Sequence, residues 1–251
     1  MKHNFFLGAM LALVLTACGK DWNLPGGQSG SAAGEKYRVG IMNGVRLKIP
    51  ESYLDGGFTY EGEPIGGFDT ASTAATFDSR VTDFGFLVRL STLQPMHTNQ
   101  DHRDWIEAER HTYYPETWMA VDFDNRYPVI NDTRPYGSRM LYVTGPYDID
   151  SNKPFGLVHY ESILSVDDGE KNNLFRGHTK YFLDNYSSTV IECETHRQRV
   201  KPFALFSSCH HRFLVPELNV MTQAFYTKKD LYRWREIESR VKEIAHGFVV
   251  H

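Results

Sequence analysis

The first seventeen residues have the layout of an export signal, which decides the compartment in which the rest of the chain folds. The start is basic at Lys2, an apolar run extends from Phe5 to Leu15, and small residues follow before Cys18. A helix that crosses a bilayer needs about twenty apolar residues, whereas this run has about eleven. Residues 1–17 are therefore predicted to be a signal peptide that is removed on export, and not a permanent membrane span.

The end of this signal, Leu15-Thr16-Ala17-Cys18, resembles the bacterial lipobox. The resemblance implies cleavage before Cys18 and acylation of its thiol and new amine with fatty acids such as palmitate, which would anchor the protein stably. An ordinary secretory signal that ends near a cysteine is the alternative. Asp after the lipidated cysteine is the usual cue for inner-membrane retention, and Gly19 stands there instead. We therefore expect a lipoprotein on the periplasmic side of the outer membrane, with the inner membrane as the less favoured location.

Composition divides the remaining chain into a tether and a globular part. Residues 18–35 contain LPGGQSGSAAG, which is too poor in large apolar groups to pack and is typical of a flexible tether. Residues 36–251 are enough for a sizeable core, and 14% of the chain is aromatic, so we predict one globular domain there. Removing the signal also removes Lys2, so the net charge falls from −4 to −5, which disfavours nucleic acid as a partner.

Two cysteines remain beyond the anchor, Cys193 and Cys209. An even pair in an oxidising compartment predicts a disulfide, with two buried free thiols as the alternative. The surrounding segment STVIECETHRQRVKPFALFSSCHHRFLV contains two strand-like runs around a turn near residues 199–202. Pairing those runs would bring the two cysteines together across neighbouring strands.

The rest of the pattern predicts an α+β fold, made mostly of antiparallel sheet. Asn43-Gly44 accepts the positive φ of a type I′ turn, so residues 37–50 should form a β-hairpin. Residues 55–80 are rich in Gly, Thr, Ser and Asp and are expected to form a long loop. A short helix is predicted at residues 100–110, and β-type runs follow without long helices between them. These runs are Trp118–Phe123, Arg139–Thr144, Leu157–Val166, Lys180–Leu183 and the segment NVMTQAFY.

The last element is a predicted helix from about Lys228 to His246 that packs on the sheet. Its apolar residues recur at steps of three and four, which places them on one stripe. Thr227 and Asp230 have the spacing of a capping box, and Gly247 stands where a helix could end. A helix that binds a partner is the alternative. The stripe consists of Leu231, Trp234, Ile237, Val241, Ile244 and Phe248.

No arrangement typical of catalysis or of a cofactor is evident in the sequence. A serine hydrolase motif is not matched by Gly27-Gln28-Ser29-Gly30, and the chain has no phosphate-binding glycine motif, zinc-protease helix or calcium loop. A metal site built from His97 and His102, or from His210 and His211 with His196, is the alternative. His97 and His102 are five residues apart, however, and His210 and His211 would point to opposite faces of a strand. We therefore predict a protein that is not an enzyme, with no metal and no cofactor, and histidines that are solvated or structurally bonded.

Acidic and aromatic residues near the predicted turns are the candidates for binding a protein partner. Acids at Asp122/Asp124 and elsewhere fall at expected strand ends or turns, where Asp is favoured for backbone reasons, so solvated turns are the alternative. Large aromatics near loops serve as interface anchors, or else as ordinary packing. The loops considered most suitable are 145–154 and 167–173. Their candidate residues, with the adjoining aromatic, are Tyr147, Asp148, Asp150, Phe155, Asp167, Asp168 and Glu170.

Several of these features together resemble the periplasmic immunity lipoproteins of type VI secretion lipase effectors. The features are the lipobox, the Gly/Ser tether, the opening Asn-Gly-Val-x-Leu-x-Ile-Pro hairpin, the segment Arg212–Leu218 and a C-terminal helix that contains Trp-Arg. The resemblance implies a protein that binds a secreted phospholipase and blocks it without catalysis, and it carries over no contact residue. An accessory lipoprotein of an outer-membrane or secretion assembly is the alternative, and an enzyme acting on lipid or glycan is a third.

Overall fold

The computed structural model describes residues 36–63, 75–111, 116–125, 147–150, 152–162, 180–183, 189–197 and 205–251. All of them belong to one compact unit, Glu35–His251. No helix among these residues is long and apolar enough to span a membrane. The predicted signal peptide, Cys18, the tether and the predicted strand Arg139–Thr144 lie outside the described residues.

The described chain is an α+β fold, as the sequence predicts, and every pairing between its strands is antiparallel. Its helices are α1 (Asn99–His111) and α2 (Trp234–His246). Its strands are β1 (Tyr37–Met42), β2 (Val45–Pro50), β3 (Leu54–Tyr60), β4 (Val81–Arg89), β5 (Gln94–Pro95), β6 (Trp118–Asp124), β7 (Tyr147–Asp150), β8 (Val158–Ser162), β9 (Lys180–Leu183), β10 (Val190–Arg197), β11 (Leu205–Val215) and β12 (Val220–Thr227).

Ten of the described strands form one sheet in the order β3-β4-β6-β12-β11-β10-β9-β8-β7, with β5 paired to β4. The hairpin β1–β2 is separate, and its turn confirms the prediction, since both Asn43 (φ 49°) and Gly44 (φ 86°) have positive φ. Leu47 and Ile49 of β2 are wholly buried in the main core.

One face of the large sheet packs against α2 and forms the main core. Phe84 and Phe86 of β4 contact the buried Phe248 that follows α2, with ring centroids 6.3 and 5.9 Å away. The predicted apolar stripe of the C-terminal helix is confirmed, because every member of it is buried within this core. Burying large apolar side chains in this way is the main stabilising contribution that the helix makes to the domain.

Helix α1 packs on the opposite face, at one end of the sheet. Successive side chains of a strand point to opposite faces, so Leu87 lies on the face away from Phe86. Leu87, Met96 and Trp118 form a second, smaller cluster, against which Trp105 of α1 packs. Beyond α1, this outer face carries mainly polar side chains.

Two sequence predictions about the first strands and the C-terminal helix require correction. Strand β3 occupies part of the predicted loop 55–80; its pairing with β4 shifts register between Leu54 and Phe58, a bulge in a glycine-containing stretch whose composition resembles a loop. The predicted capping box is also wrong, because Thr227 Oγ1 donates to Asp230 Oδ2 (3.0 Å) and no side chain caps the turn. Residues Lys228–Arg233 form a 3-10 turn, and the α-helix begins at Trp234.

Candidate partner-binding surface

The predicted disulfide is confirmed. Cys193 of β10 and Cys209 of β11 are directly opposite in the register of the two strands, with Cα atoms 4.0 Å apart, and their sulfurs are bonded. Both residues are buried on the face that packs against α2. The bridge therefore crosslinks neighbouring strands of the main core, as the strand-turn-strand pattern predicts.

The predicted partner-binding loops are only partly within the described residues. Tyr147, Asp148 and Asp150 lie in strand β7 and not in a loop, which corrects the prediction. The segment Tyr-Asp-Ile-Asp alternates aromatic or apolar with acidic residues, the period of a strand, and this alternation prevails over the local turn preference of Asp. The other loop, with Asp167, Asp168 and Glu170, lies outside the described residues.

Phe155 is the predicted site residue with the most unusual geometry. Its side chain is 48% exposed, and its backbone has φ 59°, a left-handed conformation that is an outlier for a bulky residue. Lys153 (φ 44°) and Gly156 (φ 77°) beside it also have positive φ. Left-handed φ costs about 1 to 3 kcal/mol at a residue other than glycine, such as Lys153 or Phe155, and such positions are enriched at functional sites.

Contacts with the start of α2 hold Phe155 in this conformation. The indole Nε1 of the buried Trp234 donates a hydrogen bond to the carbonyl oxygen of Phe155 (3.1 Å). The guanidinium of Arg235 lies over the Trp234 ring, 4.5 Å from its centroid, and close to Gly156. We call Lys153, Phe155 and Arg235 the Phe155 patch.

A groove of about 470 Å³ forms a second surface feature, on the outer face of the sheet beyond α1. Its floor is the pleated backbone of five adjacent strands. Gly85 keeps this floor open, because a Cβ there would lie 3.2 Å from the Val121 carbonyl oxygen and 2.7 Å from Asp122 Oδ1, whose carboxylate would have to move. The lining includes Gly57, Asp83, Gly85, Ala120, Asp122, Asp124, His210, Arg212, Gln223 and Phe225.

Negative charge is concentrated in one half of the groove, which we call its acidic half. Asp83 of β4 stands directly opposite Asp124 of β6, a pairing of like charges that destabilises a sheet. Hydrogen bonds from Thr59 (2.9 Å) and Thr82 (3.1 Å) to the carboxylate of Asp83 offset part of that cost. Asp122 lies on the same side of β6 and adds a third carboxylate.

The other half of the groove lies on β11 and carries one cation, Arg212. Arg212 donates from Nε to Gln223 Oε1 (3.2 Å), and its Nη1 lies 3.7 Å from a carboxylate oxygen of Glu192. The ring of His210 lies edge-on to Phe225, with centroids 4.6 Å apart. A group of carboxylates on one side of a groove can select a partner that presents basic side chains in the complementary position.

His210 and His211 point to opposite faces of β11, as predicted, and His211 joins a buried polar cluster under α2. Thr189 Oγ1 (2.8 Å) and Lys242 Nζ (2.5 Å) donate to the carboxylate of Glu238, and His211 Nε2 lies 3.5 Å from Glu238 Oε2. Burial favours the neutral acid, but the contacts with His211, Lys242 and Thr189 hold the pKa of Glu238 at about 2. Burial lowers the pKa of His211, so its imidazole is neutral at pH 7.

This buried cluster serves the packing of α2 on β11. His211 is wholly buried, and its Nδ1 lies 3.3 Å from the hydroxyl of Tyr226, whose pKa burial raises. None of these atoms reaches the groove, which lies on the other face of the strand. Among the described residues, no group of three or more His, Cys, Asp or Glu side chains is arranged to hold a metal ion.

Sequence reasoning missed the groove and the contribution of Arg235. The available signal was the alternation of polar with apolar residues along β4, β6, β11 and β12, which places Asp83, Asp122, Arg212 and Gln223 on one face. Recognising the groove also requires the order of the strands, and β4 and β11 are far apart in the sequence. The strain at Phe155 follows from its contacts with α2 and has no comparable pattern.

No protein-family model matches the chain, and no curated protein matches its sequence. Among solved structures, the fold is similar to that of an immunity protein of the type IV secretion system of Stenotrophomonas maltophilia. The TM-score is 0.48 and the identity is 12%, and the match covers 86% of this chain and 94% of that protein. A similarity of this size carries no argument for a shared activity, so the proposed function rests on the chain's own residues.

Proposed function

We propose that the chain is an immunity protein: a periplasmic lipoprotein, anchored to the outer membrane, that binds and neutralises a secreted protein toxin. The observation that carries the proposal is the exposed Phe155 on strained backbone. An exposed Phe side chain leaves apolar surface in contact with water, which is unfavourable. Left-handed φ at Phe155 adds backbone strain. A hydrogen bond from Trp234 holds Phe155 in this conformation despite both costs, which supports a role for Phe155 in binding.

Phe155 has the properties of an interface anchor. Protein interfaces are enriched in aromatic residues and Arg, and the Phe155 patch supplies Phe155 with Arg235 close to it. Because Trp234 fixes the backbone of Phe155 before a partner arrives, little freedom is lost on binding. The groove offers a second contact region, where its acidic half would receive basic side chains of the toxin.

The finer part of the proposal is that the toxin is a lipase delivered by a type VI secretion system. It is supported by the sequence resemblance to immunity lipoproteins of such effectors and by the predicted acylation of Cys18. An acyl anchor would hold the inhibitor beside the bilayer that a phospholipase attacks, and it would raise the local concentration of the inhibitor there.

The test is to co-express the mature chain with the product of the adjacent gene, and to measure co-purification and phospholipid hydrolysis. The informative variant is Phe155→Asn, because Asn tolerates positive φ and should leave the fold intact. Ile106→Asn is the matched control, since Ile106 is also 48% exposed and belongs to α1, which packs on the other face of the sheet. We expect Phe155→Asn to weaken binding by about 30-fold, and Ile106→Asn to have no effect.

Two outcomes would contradict the proposal. If the two proteins do not associate and the lipase stays active at equimolar chain, the immunity function is wrong. If instead the chain co-purifies with outer-membrane or secretion components, the accessory-lipoprotein alternative is supported. If Phe155→Asn and wild type bind the toxin equally, the immunity function stands and the assignment of the Phe155 patch as its binding surface is wrong.

The anchor has its own test. Cys18→Ser should abolish incorporation of a labelled fatty acid and leave an uncleaved or mislocalised precursor, because the thiol is the acylated group. Labelling of the variant at the wild-type level would show that Cys18 is not the lipidation site.

A further inference from the structure

We propose that the outward face of the hairpin β1–β2 is a membrane-docking surface that binds anionic phospholipid headgroups. The register of the hairpin defines this face, because its residues alternate with the buried Gly40, Leu47 and Ile49. We call it the hairpin face. Its residues are Tyr37, Val39, Ile41, Arg46, Lys48 and Pro50.

The charge of the hairpin face is opposite to that of the chain as a whole. Residues 36–50 contain four Lys or Arg and no Asp or Glu, although the chain has a net charge of −4. Two of the four, Arg46 and Lys48, are exposed on the hairpin face, whereas Arg38 lies on the opposite face and its Nε is 3.0 Å from Glu51. Arg46 and Lys48 are two residues apart, and the strand period of two places both of them on the hairpin face.

The hairpin face also carries apolar groups suited to the boundary between headgroups and acyl chains. Tyr37 is 39% exposed, and the ammonium of Lys48 lies over its ring, 4.2 Å from the centroid. Val250 is 40% exposed. Its backbone N–H donates to the carbonyl oxygen of Arg46, which places Val250 beside the hairpin face. Tyrosine and long basic side chains with apolar stems are the residues favoured at membrane interfaces.

The position of the hairpin in the chain specifies the occupant. Lys36 is the first described residue and follows Cys18 by eighteen residues, so the hairpin is the first described element after the predicted acylation site. A chain anchored at Cys18 would keep this face near the headgroups at high effective concentration. Two weakly binding cations then suffice to orient the domain, since each raises the affinity for an anionic surface by about 5-fold. The proposal rests on the lipid anchor of the proposed function.

The experiment couples the chain from Cys18 to His251, which contains the whole compact unit, to vesicles through the thiol of Cys18 and a maleimide lipid. Cys193 and Cys209 are joined in a disulfide and leave that thiol as the site of coupling. The vesicles are phosphatidylcholine with or without phosphatidylglycerol. The rate at which an amine-reactive reagent modifies each lysine is then measured by peptide mass spectrometry.

We expect phosphatidylglycerol to slow the modification of Lys48 by at least about 5-fold, and to leave Lys229 unchanged. Lys229 is the internal control, because its side chain is 53% exposed and lies far from the hairpin in sequence. Arg46→Gln should restore much of the Lys48 rate, whereas Arg103→Gln on α1 should not. Equal Lys48 rates on the two vesicles, or equal slowing of Lys229, would overturn the proposal. The assay contains neither toxin nor cellular lipidation, so its failure is distinct from failure of the immunity function.

Discussion

Helices α1 and α2 both have thirteen residues and lie against opposite faces of the same sheet, yet they differ in what they bury. Five residues of α2 are buried: Trp234, Ile237, Val241, Ile244 and Ala245. Of residues 99–109 in α1, whose burial is described, none is fully buried. The comparison shows that the face under α2 is the structural core, whereas the face under α1 is covered at one end and supplies the groove beyond it.

The two helices also stabilise a carboxylate in different ways. Glu238 of α2 lies between the helix and the sheet, where its carboxylate accepts hydrogen bonds from Thr189 and Lys242. Asp101 of α1 lies near the surface, where burial again favours the neutral acid, but hydrogen bonds from Thr98, Arg89 and His97 hold its pKa at about 2. Both carboxylates therefore stabilise the native state in their ionised form.

The largest expected effect is on the core helix. Trp234→Asp would place a charge among buried apolar groups and break the hydrogen bond to Phe155, so we expect a loss of more than about 4 kcal/mol in the free energy of unfolding. Trp105→Asp on α1 is the matched substitution and should cost about 1 to 2 kcal/mol, because Trp105 is only partly buried. Urea unfolding followed by circular dichroism measures both. Equal losses would show that the two faces contribute alike.

Removing the disulfide tests the same face by another route. The double variant Cys193→Ala/Cys209→Ala should lose about 3 kcal/mol, since the bridge closes a loop with a sequence separation of 16 residues. Wild-type protein in a reducing agent should show a similar loss. If the reduced protein is as stable as the oxidised one, the strands β10 and β11 are held together without the bridge.

These elements differ in how far the sequence predicts them. The hairpin follows from Asn43-Gly44, and the disulfide follows from one strand-turn-strand pattern, because both depend on residues close together in the chain. The capping box shows where such rules fail: Thr98-x-x-Asp101 and Thr227-x-x-Asp230 have the same spacing. Only the former makes the reciprocal bonds, and the backbone after Thr227 turns as a 3-10 helix.

The candidate site depends on contacts that no local pattern contains. Asp83 meets Asp124 only because β4 and β6 are neighbours in a particular register, and Arg212 joins them through β12. The conformation of Phe155 depends on Trp234, which follows it by 79 positions. Long-range pairing of this kind is decided by the whole fold and not by the segment.

Lowering the pH should destabilise the core helix more than α1. The pKa of Glu238 is lowered to about 2 from an ordinary 4.5, so its contribution is complete above pH 4.5 and is lost as the pH falls towards 2. Glu238→Gln should cost about 2 to 3 kcal/mol at pH 7, and Asp101→Asn about 2 kcal/mol. On acidification, the free energy of unfolding of each variant should fall by less than that of the wild type.

His211 adds an earlier step to this acid response. Its pKa is lowered by burial, so the unfolded chain binds a proton first and stability begins to fall below about pH 6.5. Glu238→Gln should keep the step below about pH 6.5, because that step belongs to His211. The variant therefore separates the contribution of the imidazole from that of the carboxylate. A wild-type unfolding free energy that is constant between pH 7 and pH 3 would contradict both assignments.

The smallest expected effect is on the start of α1. Thr98 Oγ1 accepts a hydrogen bond from the backbone N–H of Asp101 (3.0 Å), and the Asp101 carboxylate accepts one from the N–H of Thr98 (3.1 Å). Thr98→Ala removes half of this capping box and should cost about 1 kcal/mol, whereas Thr98→Ser keeps the hydroxyl and should cost little. Because α1 has no fully buried residue among 99–109, the loss should appear as faster hydrogen exchange at its first amides, with the amides of α2 unchanged. If Thr98→Ala also accelerated exchange in α2, the two helices would unfold as one unit, and the contrast between an independent outer helix and a core helix would be wrong.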